Sequence, residues 1–359
     1  MNITQVKNNF SGGTAIITGA NGWLGKGLVH SIAHGIEGLD SIPNNTFDRI
    51  RVLVLPGEDV AALQRISGNI EIICGDVRLP SDCERLVNGF EGAVLFHTAG
   101  IIHPRIIKDF YEINLNGTLN LLNAAKNNKL KRAVIVSSNS PIGCNPVAGH
   151  LFDEESPFNP YMHYGRSKML MEQGVLRVQE DGGLETVRIR APWFYGPFQP
   201  ERQTLFFQMI RDGKGPIVGA GNNWRSMVYI DNLAQGLLLA ASSPFANGKV
   251  YWIADEQPYS MNEIIDTIES VLEHDFGIKC AHKRLRLPNI ISDLAWVIDK
   301  SLQGVGFYHQ KMHVLSEMNK NIACSIGLAQ LELGYRPTID LKAGMRKSIG
   351  WVLANYGSL

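Results

Sequence analysis

Residues 15–25 read Ala15-Ile16-Ile17-Thr18-Gly19-Ala20-Asn21-Gly22-Trp23-Leu24-Gly25. A short apolar run ends in a turn with glycine at every third position, and a helical apolar period continues through residue 34. A strand that enters a helix through glycines opens a strand–helix–strand unit. Glycine permits a tight turn and lets a phosphate approach the free N–H groups of the helix N-terminus, where the dipole favours negative charge. A plain packing turn would use the same residues, so the reading rests on the pattern of the chain beyond residue 34. The spacing is Gly-x-x-Gly-x-x-Gly, not Gly-x-Gly-x-x-Gly.

Beyond residue 34 the alternation of strand and helix repeats. Strands are expected at 51–55, 70–74, 93–97, 133–137 and 186–190, and helices at 60–66, 81–87, 107–128 and 160–180. The strands are nearly all apolar, as when helices cover both sheet faces. This predicts an α/β, Rossmann-like, doubly wound parallel sheet. The long link before the second strand carries Pro43-Asn44-Asn45, a surface-loop signal. After Pro192 the pattern changes. Residues 227–231 and 249–254 read as a return to the sheet, with a helix at 232–242 between them, and 255–359 read as mainly helical. A nucleotide-binding domain is expected over 12–192 plus 227–254, and a smaller, mainly helical substrate domain over 193–226 and 255–357. The apolar stretch Ile290 to Val297, broken by Asp293 with Asp299 beyond it, reads as a packed helix, with a membrane-facing helix as the alternative.

The chain has 359 residues, 45% hydrophobic and 19% charged, with formal net charge zero. No basic field invites nucleic acid. No apolar run reaches spanning length, and no N-terminal signal pattern is seen, so a membrane span is not expected. Cys74, Cys83, Cys144, Cys280 and Cys324 are odd in number and scattered, which fits a reducing cytoplasm and predicts neither a disulfide framework nor a metal site.

The chemistry sits further on. Tyr164 and Lys168 are four apart on an expected helix, hence on one face. A free tyrosine has a pKa of about 10, and a neighbouring ammonium should lower it. Tyr164 could then exchange a proton with a substrate oxygen while a hydride moves to or from a nicotinamide. Ser138, at a strand's C-terminal end, could bond the same oxygen. The residue at the end of the second strand selects the cofactor: an acid binds the ribose hydroxyl and a base accepts a 2′-phosphate. Here it is Leu55, followed by Pro56-Gly57-Glu58-Asp59, with no cation nearby, which leans to NAD over NADP. Asp76, in Cys-Gly-Asp-Val, either meets the adenine or caps a helix. Gly19, Gly22, Trp23, Leu24, Gly25, Leu55, Asp76 and Val77 are the candidate cofactor positions from these segments.

With these features the chain resembles the extended short-chain dehydrogenases/reductases, the group of NAD-dependent epimerases/dehydratases and 3β-hydroxysteroid dehydrogenases. The likeness covers nearly the whole chain. It includes His97-Thr98-Ala99-Gly100, Asn114-Leu115-Asn116-Gly117-Thr118, Val136-Ser137-Ser138, Tyr164 to Lys168, Arg190 to Pro197 and Val228 to Leu233. The resemblance implies catalysis by Ser138, Tyr164 and Lys168, with Lys168 also on the nicotinamide ribose. It implies that Ala99 and Gly100 line the cofactor, Asn114 holds the site geometry, Pro192 borders the nicotinamide and His97 is structural. It also implies a homodimer through helices 107–128 and 160–180.

The substrate signals divide. Gly219 to Ser226 matches a loop of nucleotide-sugar enzymes whose arginine, here Arg225, grips a pyrophosphate; a surface arginine is the other reading. Those enzymes usually carry asparagine where this chain has Trp193. Arg-Ala-Pro-Trp-Phe-Tyr-Gly-Pro resembles the sterol branch, and Trp193 with Phe194 either borders a lipid-like substrate or belongs to the core. Asn139 and Ser140 stand where sugar dehydratases carry Asp-Glu, which disfavours water elimination. Ile142 replaces the usual tyrosine of Val-Tyr-Gly. The leading expectation is an epimerase or dehydrogenase/reductase acting on a secondary alcohol of a nucleotide sugar. The alternatives are a sterol-like or β-hydroxy acid substrate, and a non-catalytic nucleotide sensor.

Overall fold

The computed structural model describes residues 13–42 and 44–359. Pro43 and the expected domain start at residue 12 lie outside the described residues. The strands are β1 (Thr14–Thr18), β2 (Arg49–Val54), β3 (Ile70–Cys74), β4 (Val94–His97), β5 (Arg132–Ser138), β6 (Glu185–Ala191), β7 (Trp193–Tyr195), β8 (Pro216–Val218), β9 (Trp224–Arg225), β10 (Met227–Tyr229), β11 (Val250–Trp252), β12 (Tyr259–Ser260) and β13 (Leu285–Leu287). The α-helices are α1 (Trp23–His34), α2 (Ala61–Ile66), α3 (Pro80–Val87), α4 (Thr118–Asn127), α5 (Met162–Glu180), α6 (Glu201–Arg211), α7 (Ile230–Ser242), α8 (Met261–His274), α9 (Asn289–Gly304), α10 (Gln310–Glu317), α11 (Gly327–Leu333) and α12 (Leu341–Tyr356).

Seven strands form one parallel sheet in the order β11-β6-β5-β4-β1-β2-β3. Successive side chains face opposite sides of each strand. Ile17, Val52, Phe96 and Val134 enter the core layer that holds Leu28 and Ile32 of α1 and Leu233 and Leu237 of α7. Their neighbours Ile16, Leu53, Leu95 and Ile135 enter the other layer, with Leu86, Leu121, Leu122, Met171 and Val175 from α3, α4 and α5. Each of these side chains contributes roughly 1.5–3 kcal/mol when fully removed from water. The expected fold class holds: the sheet is buried on both faces and doubly wound.

Three expectations need correction. Residues 227–231 do not rejoin the main sheet: β10 pairs with β7 in a separate two-stranded parallel unit, and β11 alone returns. The helix expected at 107–128 is interrupted, because Phe110–Gly117 forms a π-helix before α4 begins at Thr118. The 290–297 stretch is helical and packs through its polar face, not its apolar one: α9 buries Ser292, Ala295, Asp299 and Gln303 and leaves Ile290, Leu294, Trp296 and Val297 exposed. Apolar periodicity shows which residues share a face but not which face turns inward. No described helix is long and apolar enough to cross a membrane.

Candidate active site

The sheet order reverses between β1 and β4, both of which end against the glycine turn. Such a switch point leaves a crevice at the strands' C-terminal ends. Here the fit is close. Gly19 has φ +71°, and a Cβ there would lie 2.6 Å from the Ala99 nitrogen. A Cβ on Gly25 would lie 2.1 Å from the Gly19 carbonyl oxygen. Gly22 precedes α1 with no side-chain cap, and no acid occupies the first turn. The helix thus offers its N–H groups and positive dipole end to a cavity of about 1410 Å³ that Gly19, Gly22, Trp23, Leu24 and Gly25 line. A pyrophosphate-bearing nucleotide fits this cradle, and a side chain at Gly19 or Gly25 would clash with the backbone that shapes it.

The same cavity reaches Ser138, Tyr164, Lys168, Gly100, Pro192, Trp193, Asn139, Ser140 and Arg225. β5 ends on Ser138, and α5 presents Tyr164 and Lys168 one turn apart. The Ser138 hydroxyl donates to Asn139 Oδ1 at 3.3 Å and accepts from the Ser140 amide at 3.3 Å. Lys168 Nζ donates to the Val136 carbonyl at 2.9 Å. Burial pushes its pKa down to about 8, against an opposing pull from Glu172. Burial pushes Tyr164 up to about 12, with the Ser138 hydroxyl opposing. The expectation that a neighbouring ammonium lowers the Tyr164 pKa is therefore not met in this state. Both groups are buried, and desolvation of the phenolate outweighs the favourable contacts.

Under these groups lies a buried ion network. Glu172, one turn beyond Lys168, accepts from Ser137 Oγ at 2.6 Å and from Arg190 Nη2 at 2.9 Å and Nε at 3.2 Å. The Arg190 guanidinium also lies over the rings of Phe158 and Trp252. The network ties β5, α5 and β6 together directly behind Ser138, Lys168 and Pro192. Asn114, in the π-helix, accepts from the Ile101 amide at 2.8 Å and donates to the Ile101 carbonyl at 3.0 Å and Ser167 Oγ at 3.2 Å. His97 is buried between Thr18 and Thr118, its nitrogens 2.7 and 2.8 Å from their hydroxyls, and burial pushes its pKa down to about 3.

Some candidates lie off the cavity wall. Leu55 follows β2 and is exposed, while Val77 is buried among the helices on the other sheet face. The Asp76 side chain is taken up by Arg78. Its carboxylate binds Arg78 Nε at 2.9 Å and Nη2 at 2.5 Å and accepts from the Arg78 amide at 2.9 Å. It does not cap α3, whose N-cap is Leu79. Nor is the end of β2 free of cations: Lys26 and Arg65 both line the cavity, and Lys26 faces Glu58 and Asp59. They come from α1 and α2, which the local sequence after β2 does not contain.

The substrate half held further surprises. Arg225 donates to the Glu317 carbonyl, and its Nε is buried without a partner among the described residues. His313 binds Asp299 through Nδ1 at 2.8 Å, and Gln303 donates to the same carboxylate oxygen at 2.8 Å. Burial pushes the His313 pKa down, but Asp299 and Glu317 outweigh it, so it ends above the ordinary value. His103 bonds the Tyr308 hydroxyl at 2.7 Å, and burial with nearby Arg202 and His313 pushes its pKa down to about 4. His103, Arg202 and His313 all line the cavity, and sequence reasoning missed them. The one available signal was Asp299 with Gln303 four residues on, a polar pair inside an apolar helix.

Comparison with known proteins shows the family. The family described as NAD dependent epimerase/dehydratase matches residues 15–254. An uncharacterized protein of Sinorhizobium fredii, y4nL, is 50% identical over 342 residues, 95% of each chain. The decarboxylating sterol-4-alpha-carboxylate 3-dehydrogenase erg26 of Schizosaccharomyces pombe is 25% identical, covering 82% of this chain and 88% of its own. The N-acetyl-alpha-D-glucosaminyl-diphospho-ditrans,octacis-undecaprenol 4-epimerase of Escherichia coli O157:H7 is 28% identical over 200 residues, 55% of this chain and 60% of its own. A phosphate cradle and a Tyr-x-x-x-Lys helix opening on one cavity, matched by this family along most of the chain, place the protein among the NAD dependent epimerases/dehydratases, enzymes of the extended short-chain dehydrogenase/reductase group.

Proposed function

We propose that the protein interconverts a secondary alcohol and a ketone in a sugar activated through a diphosphate, such as a nucleotide sugar, by epimerisation or by net oxidation or reduction. The observation that carries this reading is the opening of Ser138, Tyr164, Lys168 and the glycine turn onto one cavity. NAD held in this cavity would supply the hydride acceptor and donor. Gly19, Gly22 and Gly25 would seat its pyrophosphate, Gly100 and Pro192 would border it, and Lys168 would hold its ribose.

Tyr164 Oη carries the proton. It takes the hydroxyl proton as the alcohol is oxidised and returns it as the ketone is reduced. At a pKa of about 12 it starts as the neutral phenol, the form that donates during reduction. Acting as a base requires charge nearby, and the Lys168 ammonium is the cation this chain supplies. Ser138 Oγ holds the substrate oxygen, and Asn114 positions the strand end and α5. The unpartnered Nε of Arg225 supports a phosphate oxygen as its acceptor. Asn139 and Ser140 supply no carboxylic acid beside Ser138, which supports redox chemistry or epimerisation over dehydration. The preference for NAD rests on the absence of a base in Leu55-Pro56-Gly57-Glu58-Asp59 and on the two acids facing Lys26. The proposal includes a cytoplasmic homodimer, and five free cysteines support a reducing compartment. We assign residues 12–192 and 227–254 to the nucleotide and the remainder to the substrate.

A sterol-like or β-hydroxy acid substrate is the second reading, favoured by the apolar wall of Trp193, Phe206, Met209, Met261 and Ile322. Two measurements separate them. Mass spectrometry of small molecules released on denaturation should find NAD in near-stoichiometric amount if the enzyme recycles its cofactor. A nucleoside diphosphate should inhibit saturably, and Arg225→Ala should abolish that inhibition. Absence of inhibition in the native enzyme overturns the diphosphate assignment.

A further inference from the structure

α9 is folded inside out. Its inward face is polar for a reason visible in the packing: Asp299 and Gln303 hold His313, and Ser292 Oγ bonds the Leu315 and Ser316 carbonyls at 2.8 and 2.9 Å. The opposite face therefore carries the apolar residues. Ile290, Leu294 and Val297, spaced four and three apart, share one stripe and are 69%, 55% and 52% exposed. Helices that present apolar side chains to water in this way mark an interaction surface.

The stripe does not end at α9. The turn after it exposes Val305 and Phe307. Phe307 pairs with Ile106 in an antiparallel bridge, and the Ile107 amide donates to the Gly306 carbonyl at 3.2 Å. Ile102, in the same loop as Ile106, and Val314 of α10 are exposed and also line the catalytic cavity. The apolar surface thus runs to the cavity's rim. Basic groups surround it. Lys300 lies over the Trp296 ring at 4.7 Å. Arg105, Lys300 and Lys311 form no ion pair with an acid among the described residues, whereas the acids Glu112 and Asp293 are paired with Lys108 and Lys320. Asp109 faces Arg78 and Lys108.

We propose that this surface docks the enzyme on an anionic lipid bilayer, and that its substrate carries an apolar chain which passes from the bilayer into the cavity beside Ile102 and Val314. Apolar side chains with interspersed cations match an anionic interface, where the chains enter the acyl boundary and the cations meet the headgroups. A second copy fits less well, since a symmetric contact through a rim would close both cavities. The inference rests on the functional reading for the existence of a substrate site, and it joins that reading's two halves: a diphosphate for Arg225 and an apolar tail for the rim.

The test is flotation of the full chain with phosphatidylglycerol/phosphatidylcholine vesicles and with phosphatidylcholine alone. The native protein should float with the anionic vesicles, and Leu294→Glu/Val297→Glu should lower the bound fraction on the order of tenfold or more. Both substitutions lie on the exposed stripe, so melting temperature and NAD affinity should stay unchanged; Phe307→Asp gives an independent second variant. Failure of the native protein to float with anionic vesicles overturns the proposal, as does equal flotation of both variants. Sedimentation velocity without lipid supplies the rival outcome: a native dimer that the variants dissociate makes the face a self-contact and overturns docking. Flotation needs no turnover, so its failure leaves hydride transfer standing, and loss of hydride transfer would leave a positive flotation result intact.

Discussion

Glu172 is the residue whose removal tests the architecture of the site most directly. Its carboxylate is fully buried, accepts three hydrogen bonds from Ser137 and Arg190, and lies 3.9 Å from Arg188 Nη1. Glu172→Gln keeps the shape and removes the charge. Arg190 is then left as a buried cation whose Nη1 already lacks a partner among the described residues. Breaking one side of a buried pair costs about 3–5 kcal/mol. For a chain of 359 residues, with about 2.1 cal/mol/K of unfolding entropy per residue, that is a fall in Tm of roughly 4–7 °C. Lys168 responds as well. Glu172 opposes the burial that holds its pKa near 8, so the variant should lose its ammonium at lower pH, and the alkaline limb of kcat/KM should move down. Calorimetry of Glu172→Gln beside Glu172→Gln/Arg190→Met checks the first point, since removing both charges should recover most of the loss. A single variant within about 1 kcal/mol of native, or a double variant less stable than the single, would refute the account of a coupled buried pair.

Gly25→Ala places a methyl on the Gly19 carbonyl and should weaken NAD binding at least tenfold by fluorescence titration, because the cradle must open. Tyr164→Phe should retain NAD affinity within about twofold while turnover falls by roughly 10²-fold or more, since it removes only the proton carrier. The pH dependence of stability follows from Lys168. Its folded pKa is lowered to about 8 from the ordinary value near 10.5, so between those two pH values the unfolded chain binds more protons and stability rises with pH. Denaturant melts should show this rise, and Lys168→Met should flatten it.

Much of the fold was readable because β1, β2, β4 and β5 are short apolar runs that place alternate residues in two different cores. The cradle was readable because glycine spacing after a strand has few other uses. The rest depended on distance in sequence. Lys26 reaches Glu58 and Asp59 from α1, more than thirty residues upstream, so no local window joins them. Asp299 and His313 meet only when α9 and α10 pack. Arg78 takes the Asp76 carboxylate across a two-residue turn, a contact that competes with any ligand at that position. The outward face of α9 was misassigned because a stripe of Ile290, Leu294 and Val297 reads the same whether it meets protein, lipid or water.

The wide turn at Phe110–Gly117 has a consequence for what this lineage can tolerate. A π-helix holds one more residue per turn than its surroundings, and here the surplus lets Asn114 reach back to Ile101. Deleting a single residue within the segment would close the wide turn into ordinary α-geometry and remove the local widening from which Asn114 reaches Ile101. The Asn114 bonds to Ile101, which hold the 101–107 loop at the cavity's edge, would be lost. The exposed loop at 146–149 can lose or gain residues at little cost, whereas the residue count through this segment sets whether Asn114 meets Ile101.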